Sequence, residues 1–149
     1  MANHRPDPSP DDLLRVHTVL WLALVGGVAT YTAVTYVVVT VVGIQPTSAI
    51  PARALTWATA LAVVLLGAGI AVIRRSEEAA PSLVPTERVR RYLGLRLLGL
   101  AIQEGAGLLV ITLALLTAQA IWAGAAGIAT VAVMSLARPS KDHIDRLTR

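Results

Sequence analysis

Residues 97–137 read LLGLAIQEGAGLLVITLALLTAQAIWAGAAGIATVAVMSLA, a stretch in which Glu104 is the only charged side chain. A helix needs about 20 predominantly apolar residues to cross the hydrocarbon of a bilayer. The stretch is therefore long enough for two spans, predicted at 97–117 and 120–137, with a very short turn between them. Its apolar residues form a continuous block rather than a helical or strand period, which indicates membrane spans and not a soluble core.

Two other long apolar stretches precede this one, at 18–43 and 54–73, and neither contains a charged residue. Hydrophobic residues make up 55% of the 149 positions and charged residues only 15%, which is typical of a membrane protein. Four spans use most of the chain and leave no room for a separate soluble domain. The sequence predicts an all-α, four-helix transmembrane bundle, made of two helical hairpins in a single membrane domain that covers 1–149.

The basic residues are distributed unevenly about these spans. The N-terminal segment, the central segment 74–96 and the tail 138–149 contain twelve of the thirteen, and Arg53 is the exception. Positive charge favours the cytoplasmic side, so both termini and the central loop are predicted to be cytoplasmic, in a bacterial inner membrane. Topology and attraction to anionic lipid account for the net charge of +4. The lipid bilayer is thus the expected partner, and nucleic acid is not.

The segments outside the spans carry signals for disorder and for helix starts. Residues 1–10 are proline-rich and predicted to be disordered. Ser9, Pro10 and Asp12 have the spacing of an N-cap, a first helical residue and a third-position acid. Thr86 is a plausible N-cap for a basic helix that continues into the third span.

Small residues recur at four-residue spacing within the predicted spans, a pattern that lets helix backbones approach closely in lipid. The glycines predicted to lie at helix contacts are Gly26, Gly27, Gly67, Gly105 and Gly124. Gly69 and Gly107, in the strings Gly67-Ala-Gly69 and Gly105-Ala-Gly107, are also read as packing glycines, and Gly127 follows Ala123 at the same four-residue spacing. The contacts could hold the bundle together, or also join it to a second copy or to a partner membrane subunit. The spacing does not separate these alternatives.

Glu104 is the main candidate site residue. A charged carboxylate at mid-bilayer costs about 3 kcal/mol on insertion scales, so the group is expected to be protonated, paired or facing water. Gln103 is a neighbouring polar group, and hydroxyls are available from Thr30, Thr32, Thr35 and Thr112. A protonated Glu104 could join helices by a hydrogen bond, or it could exchange a proton or cation. Both alternatives stay open.

Catalysis, metal binding and cofactors are not expected. The chain has no cysteine, and its three histidines lie in the termini or at a predicted membrane boundary, at positions 4, 17 and 143. No His pair, catalytic triad or acid pair is therefore predicted at membrane depth.

Two short segments resemble known proteins. Residues 96–107 read RLLGLAIQEGAG and residues 137–147 read ARPSKDHIDRL. Together they resemble a group of small bacterial four-span proteins of unestablished function, which carry Ala-x-x-Glu-Gly in the third helix and Arg-Pro-Ser/Thr in the tail. The resemblance implies the same four-span fold.

A second resemblance rests on Gly67-Ala-Gly69, Arg74-Arg75 and Glu104. In these positions the chain is similar to the proteolipid c subunit of rotary ATPases, in which a glycine-rich helix and an Arg-containing loop precede a helix with an ion-binding carboxylate. That resemblance implies ion or proton binding by Glu104, with Gln103 as a neighbour. The chain departs from the proteolipid pattern because its central segment is long and its carboxylate lies in the third span. The predicted function is a structural or accessory membrane subunit, with proteolipid-like proton or cation translocation as the alternative.

Overall fold

The computed structural model describes residues 9–47, 50–51, 53–77, 84–142 and 145. Within these ranges the chain forms helices and no strands, which confirms the all-helical prediction. The elements are α1 (Pro10–Val37), which continues as a π-helical segment (Val38–Val42), α2 (Arg53–Ser76), α3 (Pro85–Leu116) and α4 (Ala120–Leu136). Three of the helices are long and apolar enough to cross a membrane, and α4 is a shorter apolar helix.

The start of α1 follows the predicted capping pattern. The backbone N–H of Asp12 donates to Oγ of Ser9 at 3.2 Å. Pro10 lies in the first turn, where a backbone N–H has no partner within the helix, so the lack of an N–H in proline costs no hydrogen bond. The prediction of a cap at Ser9 is confirmed. The disorder predicted for residues 1–10 falls almost wholly outside the described residues.

The start of α3 differs from the prediction. The helix is capped by Val84, which supplies no side-chain hydrogen bond, and Pro85 rather than Thr86 opens it. Proline is favoured in the first turn because of its fixed φ, which moves the start upstream of Thr86. The basic part of the central segment is helical from this point and continues directly into the apolar part of α3.

α3 is the central helix of the fold. It packs against α1, α2 and α4, whereas α1 packs against α3 and α4, and α2 has α3 as its main neighbour. Among the described residues, α1 and α2 make almost no contact with each other. The predicted first hairpin is therefore not a packed pair. Instead, α1 and α2 each pack against α3.

Glycines set the closest helix approaches. A Cβ added at Gly69 would lie 2.8 Å from the backbone oxygen of Gly99, and a Cβ at Gly99 would lie 2.8 Å from the backbone oxygen of Gly69. The backbones of α2 and α3 thus meet directly. Gly107 makes a similar approach to Thr130 of α4, where an added Cβ would lie 2.5 Å from Oγ1. These approaches explain why α2 and α4 both pack on α3.

A turn of three residues joins α3 to α4. Ala118 adopts a left-handed backbone with φ of 54°, which reverses the chain between Leu116 and Ala120. Nearby, the N–H of Thr47 donates to the carbonyl oxygen of Leu116 at 2.9 Å. The segment after α1 therefore lies at the same end of the fold as the α3–α4 turn.

Side-chain contacts bring the N-terminal start of α1 and the tail together at the opposite end. Nε1 of Trp21 donates to the carbonyl oxygen of Met134 at 2.9 Å, and the ammonium of Lys141 lies 3.8 Å from the carboxylate of Asp11. Most of the basic residues lie toward this end, which is called the basic end below.

Candidate functional site

Glu104 lies in an open crevice between α1 and α3. The crevice has a volume of about 430 Å³ and is lined by Gly27, Tyr31, Glu104, Leu108 and Thr112. A Cβ added at Gly27 would lie 3.8 Å from Oε1 of Glu104, so the missing side chain leaves room for the carboxyl group. The carboxyl group is partly exposed on the outer surface of the bundle.

Helical spacing places these residues together. Glu104, Leu108 and Thr112 follow one another at four-residue intervals on α3, and Gly27 and Tyr31 do so on α1, so each set forms one stripe. The Tyr31 hydroxyl and Oγ1 of Thr112 are 3.1 Å apart and form a hydrogen bond between the two helices. This bond joins the two stripes about two helical turns beyond Glu104 on α3.

The carboxyl group itself is unpaired in the part of the chain that the structure describes, where no hydrogen bond or ion pair reaches Glu104. Arg96 lies eight residues earlier on α3, about 12 Å along the helix axis. The lining of the crevice thus contains two hydroxyl groups and no basic side chain. The Glu104 carboxyl group can donate a hydrogen bond when protonated, or bind a cation when ionised.

Gln103 does not join Glu104 in this crevice. It is fully buried, and its Cγ would lie 2.7 Å from a Cβ added at Gly69 of α2. Consecutive helical residues point about 100° apart, so Glu104 faces α1 while Gln103 faces α2. Among the described residues, the two side chains therefore do not meet in one crevice.

The hydroxyl groups are also distributed differently from the prediction. Thr112 does lie in the crevice, whereas Thr32 donates to the carbonyl oxygen of Val28 and packs against Gly127 of α4. Thr35 is buried away from the crevice. Tyr31 was not predicted as part of the site, although its position four residues after Gly27 places it on the same face of α1.

The predicted packing glycines mostly lie away from close helix contacts. A Cβ added at Gly26, Gly67 or Gly105 would meet no atom within 4 Å among the described residues, and one at Gly124 would lie 3.9 Å from Tyr36. The close approaches are made by Gly69, Gly107 and Gly127, which the predicted pattern includes, and by Gly99, which it does not. Four-residue spacing identifies a stripe of small residues but not the direction it faces.

Arg96 is an unanticipated structural residue at the basic end. It is 5% exposed, and its guanidinium donates to the carbonyl oxygens of Ala137 and Arg138, each at 3.1 Å. It also donates to the Tyr92 hydroxyl at 2.7 Å and lies 3.4 Å from the Glu77 carboxylate. These bonds satisfy carbonyls left free where α4 ends and tie α2, α3 and the tail together.

No protein-family model, curated protein or solved structure matches this chain. Its broad class therefore follows from its own helices, three of which have the length and apolarity of membrane spans. The crevice at Glu104 combines a carboxyl group, two hydroxyls and a glycine in its lining.

Proposed function

We propose that the four helices form one transmembrane bundle in a bacterial inner membrane, with both termini in the cytoplasm. α4 has 17 residues, which is at the short end of the range for a spanning helix. The contacts Trp21–Met134 and Lys141–Asp11 support a common side for the N-terminal segment and the tail. The excess of basic residues at that end supports a cytoplasmic location.

Single-cysteine labelling tests this topology, because the chain contains no natural cysteine. In intact cells, a membrane-impermeant maleimide is expected to label Gln45→Cys and to leave Lys141→Cys unlabelled. Inverted vesicles should give the reverse pattern. Labelling of both positions from the same side would contradict a four-span topology.

We propose that this bundle is a structural or accessory membrane subunit that associates through the outer face around Glu104. The proposal rests on one observation, that small side chains surround this unpaired carboxyl group on the exposed surface of α1 and α3. The exposed small residues of this face are Ala23, Gly26, Gly27, Ala101 and Gly105.

The physical chemistry of the bilayer favours an occupant for this face. Packing drives helix association in lipid, and small residues permit close backbone approach. A carboxyl group exposed to hydrocarbon is unfavourable when ionised and lacks a hydrogen-bonding partner when protonated. A second transmembrane helix would cover the small residues and would offer a backbone or side-chain oxygen to protonated Glu104. The proposed occupant is therefore a helix of another membrane-embedded chain.

Cross-linking in native membranes tests this association. Gly105→Cys places a thiol on the proposed face, and Val64→Cys places one at matched depth on the exposed surface of α2. We expect Gly105→Cys to give a discrete cross-linked species and Val64→Cys to give little. Mass spectrometry would distinguish a second copy from a partner subunit.

The same experiment can be repeated with Glu104→Gln and Glu104→Leu. Glutamine retains a hydrogen-bonding group, so cross-linking at position 105 should persist, whereas leucine should reduce it severalfold. Equal cross-linking at positions 105 and 64, or none at either, would contradict the proposed interface.

A second candidate function is proteolipid-like binding of a proton or cation by Glu104. The open crevice at Glu104 favours it, and the hydroxyls of Tyr31 and Thr112 line the same crevice. We would measure labelling of Glu104 by a hydrophobic carbodiimide in native membranes across pH and sodium concentration. Fast labelling that falls with rising pH or added sodium supports exchange, whereas no labelling at any pH contradicts it and favours the accessory role.

A further inference from the structure

A second cavity lies at the basic end, between α2, α3 and α4, away from Glu104. Its volume is about 280 Å³. The polar groups of its lining come from Arg74, Glu77, Arg96 and Gln103, and apolar side chains such as Ile73 and Leu136 form the rest of its wall. The cavity therefore has one charged region and an apolar wall, which is the polarity of an amphiphile.

Gln103 provides an unsatisfied polar group in this cavity. The residue is fully buried, and neither Oε1 nor Nε2 has a hydrogen-bond partner among the described residues. Buried amides are normally hydrogen-bonded, because losing water without a replacement partner is costly. A bound molecule with an oxygen at this depth would accept a hydrogen bond from Nε2.

The charged region is suited to an anion. Four of the five N–H groups of Arg96 already donate to protein oxygens, so its charge is held in place at the cavity. The side chain of Arg74 is exposed, and its guanidinium makes no hydrogen bond or ion pair with any described residue. Glu77 offsets one of the two positive charges, which leaves a net positive charge of one.

We propose that this cavity binds the head region of an anionic phospholipid. The phosphate lies at Arg74 and Arg96, and an oxygen of the glycerol ester region accepts a hydrogen bond from Gln103. Basic pockets between transmembrane helices on the cytoplasmic side are suited to such head groups. The inference rests on the membrane bundle proposed above, but not on any role of Glu104.

The dimensions favour a lipid over a free phosphate ion. Arg96 and Gln103 are two helical turns apart, about 10 Å along α3, and their side chains tilt in the same direction. A single inorganic phosphate cannot contact both groups, whereas a phospholipid has oxygens from its head group to its esters. A volume of about 280 Å³ holds only the head and glycerol, so the acyl chains would leave over exposed side chains such as Leu136.

Lipid titration of the purified full-length chain in a neutral detergent tests the site. Phosphatidylglycerol, phosphatidylcholine and inorganic phosphate are added separately, and native mass spectrometry and the unfolding temperature report binding. We expect phosphatidylglycerol to bind and stabilise the protein most strongly. The matched variants are Arg74→Gln and Arg75→Gln, which remove the same charge at adjacent exposed positions, only the first of which lines the cavity.

Arg74→Gln is expected to weaken phosphatidylglycerol binding about tenfold, the effect of losing one charge-assisted hydrogen bond, and Arg75→Gln by less than about threefold. Gln103→Met keeps the side-chain length but removes the amide, so it should leave the lipid-free unfolding temperature unchanged or higher while reducing lipid stabilisation. Equal effects of the two arginine variants would overturn the proposal. So would full stabilisation by inorganic phosphate alone, or equal stabilisation by phosphatidylcholine. The proposed topology is tested separately by the cysteine labelling described above, so a failure of lipid binding would overturn the lipid site and not the topology.

Discussion

The close approach of α2 and α3 predicts opposite effects for two alanine substitutions only two residues apart. Gly69→Ala would place a Cβ 2.8 Å from the backbone oxygen of Gly99 and 2.7 Å from Cγ of Gln103. Gly67→Ala would meet no atom within 4 Å among the described residues. The two substitutions therefore share the same gain in helix propensity and differ in steric cost.

The magnitudes follow from these two terms. Replacing glycine by alanine inside a helix stabilises it by about 1 kcal/mol, so Gly67→Ala should raise the free energy of unfolding by up to that amount. Overpacking a close contact costs about 1–3 kcal/mol, and the upper value applies at Gly69 because one obstructing atom belongs to the backbone. Gly69→Ala should then be about 2 kcal/mol less stable than the wild type, and about 3 kcal/mol less stable than Gly67→Ala.

Reversible unfolding by SDS in mixed micelles, followed by far-UV circular dichroism, measures these differences. Gly99→Ala serves as a second test, because its Cβ would meet the backbone oxygen of Gly69 at 2.8 Å. If Gly69→Ala proved as stable as Gly67→Ala, the direct backbone contact between α2 and α3 would be wrong.

The remaining predictions concern the basic end. Arg96→Gln should lower the free energy of unfolding by about 3 kcal/mol, because carbonyl oxygens at the end of α4 lose a buried charged donor. Glu77→Gln is the control, and it should lower the free energy of unfolding by less than about 1 kcal/mol because Glu77 is half-exposed. Similar losses for the two variants would contradict the role of Arg96 in stabilising the end of α4. Trp21→Phe should cost about 1 kcal/mol through loss of the hydrogen bond to Met134, and an unchanged SDS midpoint would refute that contribution.

The sequence was most informative where a property belongs to single residues or short segments. Apolar blocks predicted four helices, and the spacing of Ser9, Pro10 and Asp12 predicted the cap of α1. Helix formation and capping depend on neighbours a few residues away, so local sequence carries the signal. The same approach failed at Thr86, where a suitable side chain lay next to a proline that favoured an earlier start.

The candidate site was predicted only in part. Glu104 stands out in the sequence because a carboxyl group is rare among apolar residues. The sequence did not indicate that Gln103 faces another helix, or that Tyr31 contributes to the crevice. The direction of each side chain relative to its neighbours depends on how the helices rotate when they pack.

The sequence by itself determined that the chain is helical and apolar. It also determined that the longest apolar stretch, residues 97–137, contains one carboxyl group. Only the tertiary structure decided that α3 is central, that α2 meets it through Gly69 and Gly99, and that Arg96 holds the end of α4. The physical reason is the distance along the chain between the residues that decide each property. Transfer to lipid depends on the composition of one segment, whereas close packing depends on the fit between surfaces formed by residues far apart in the chain.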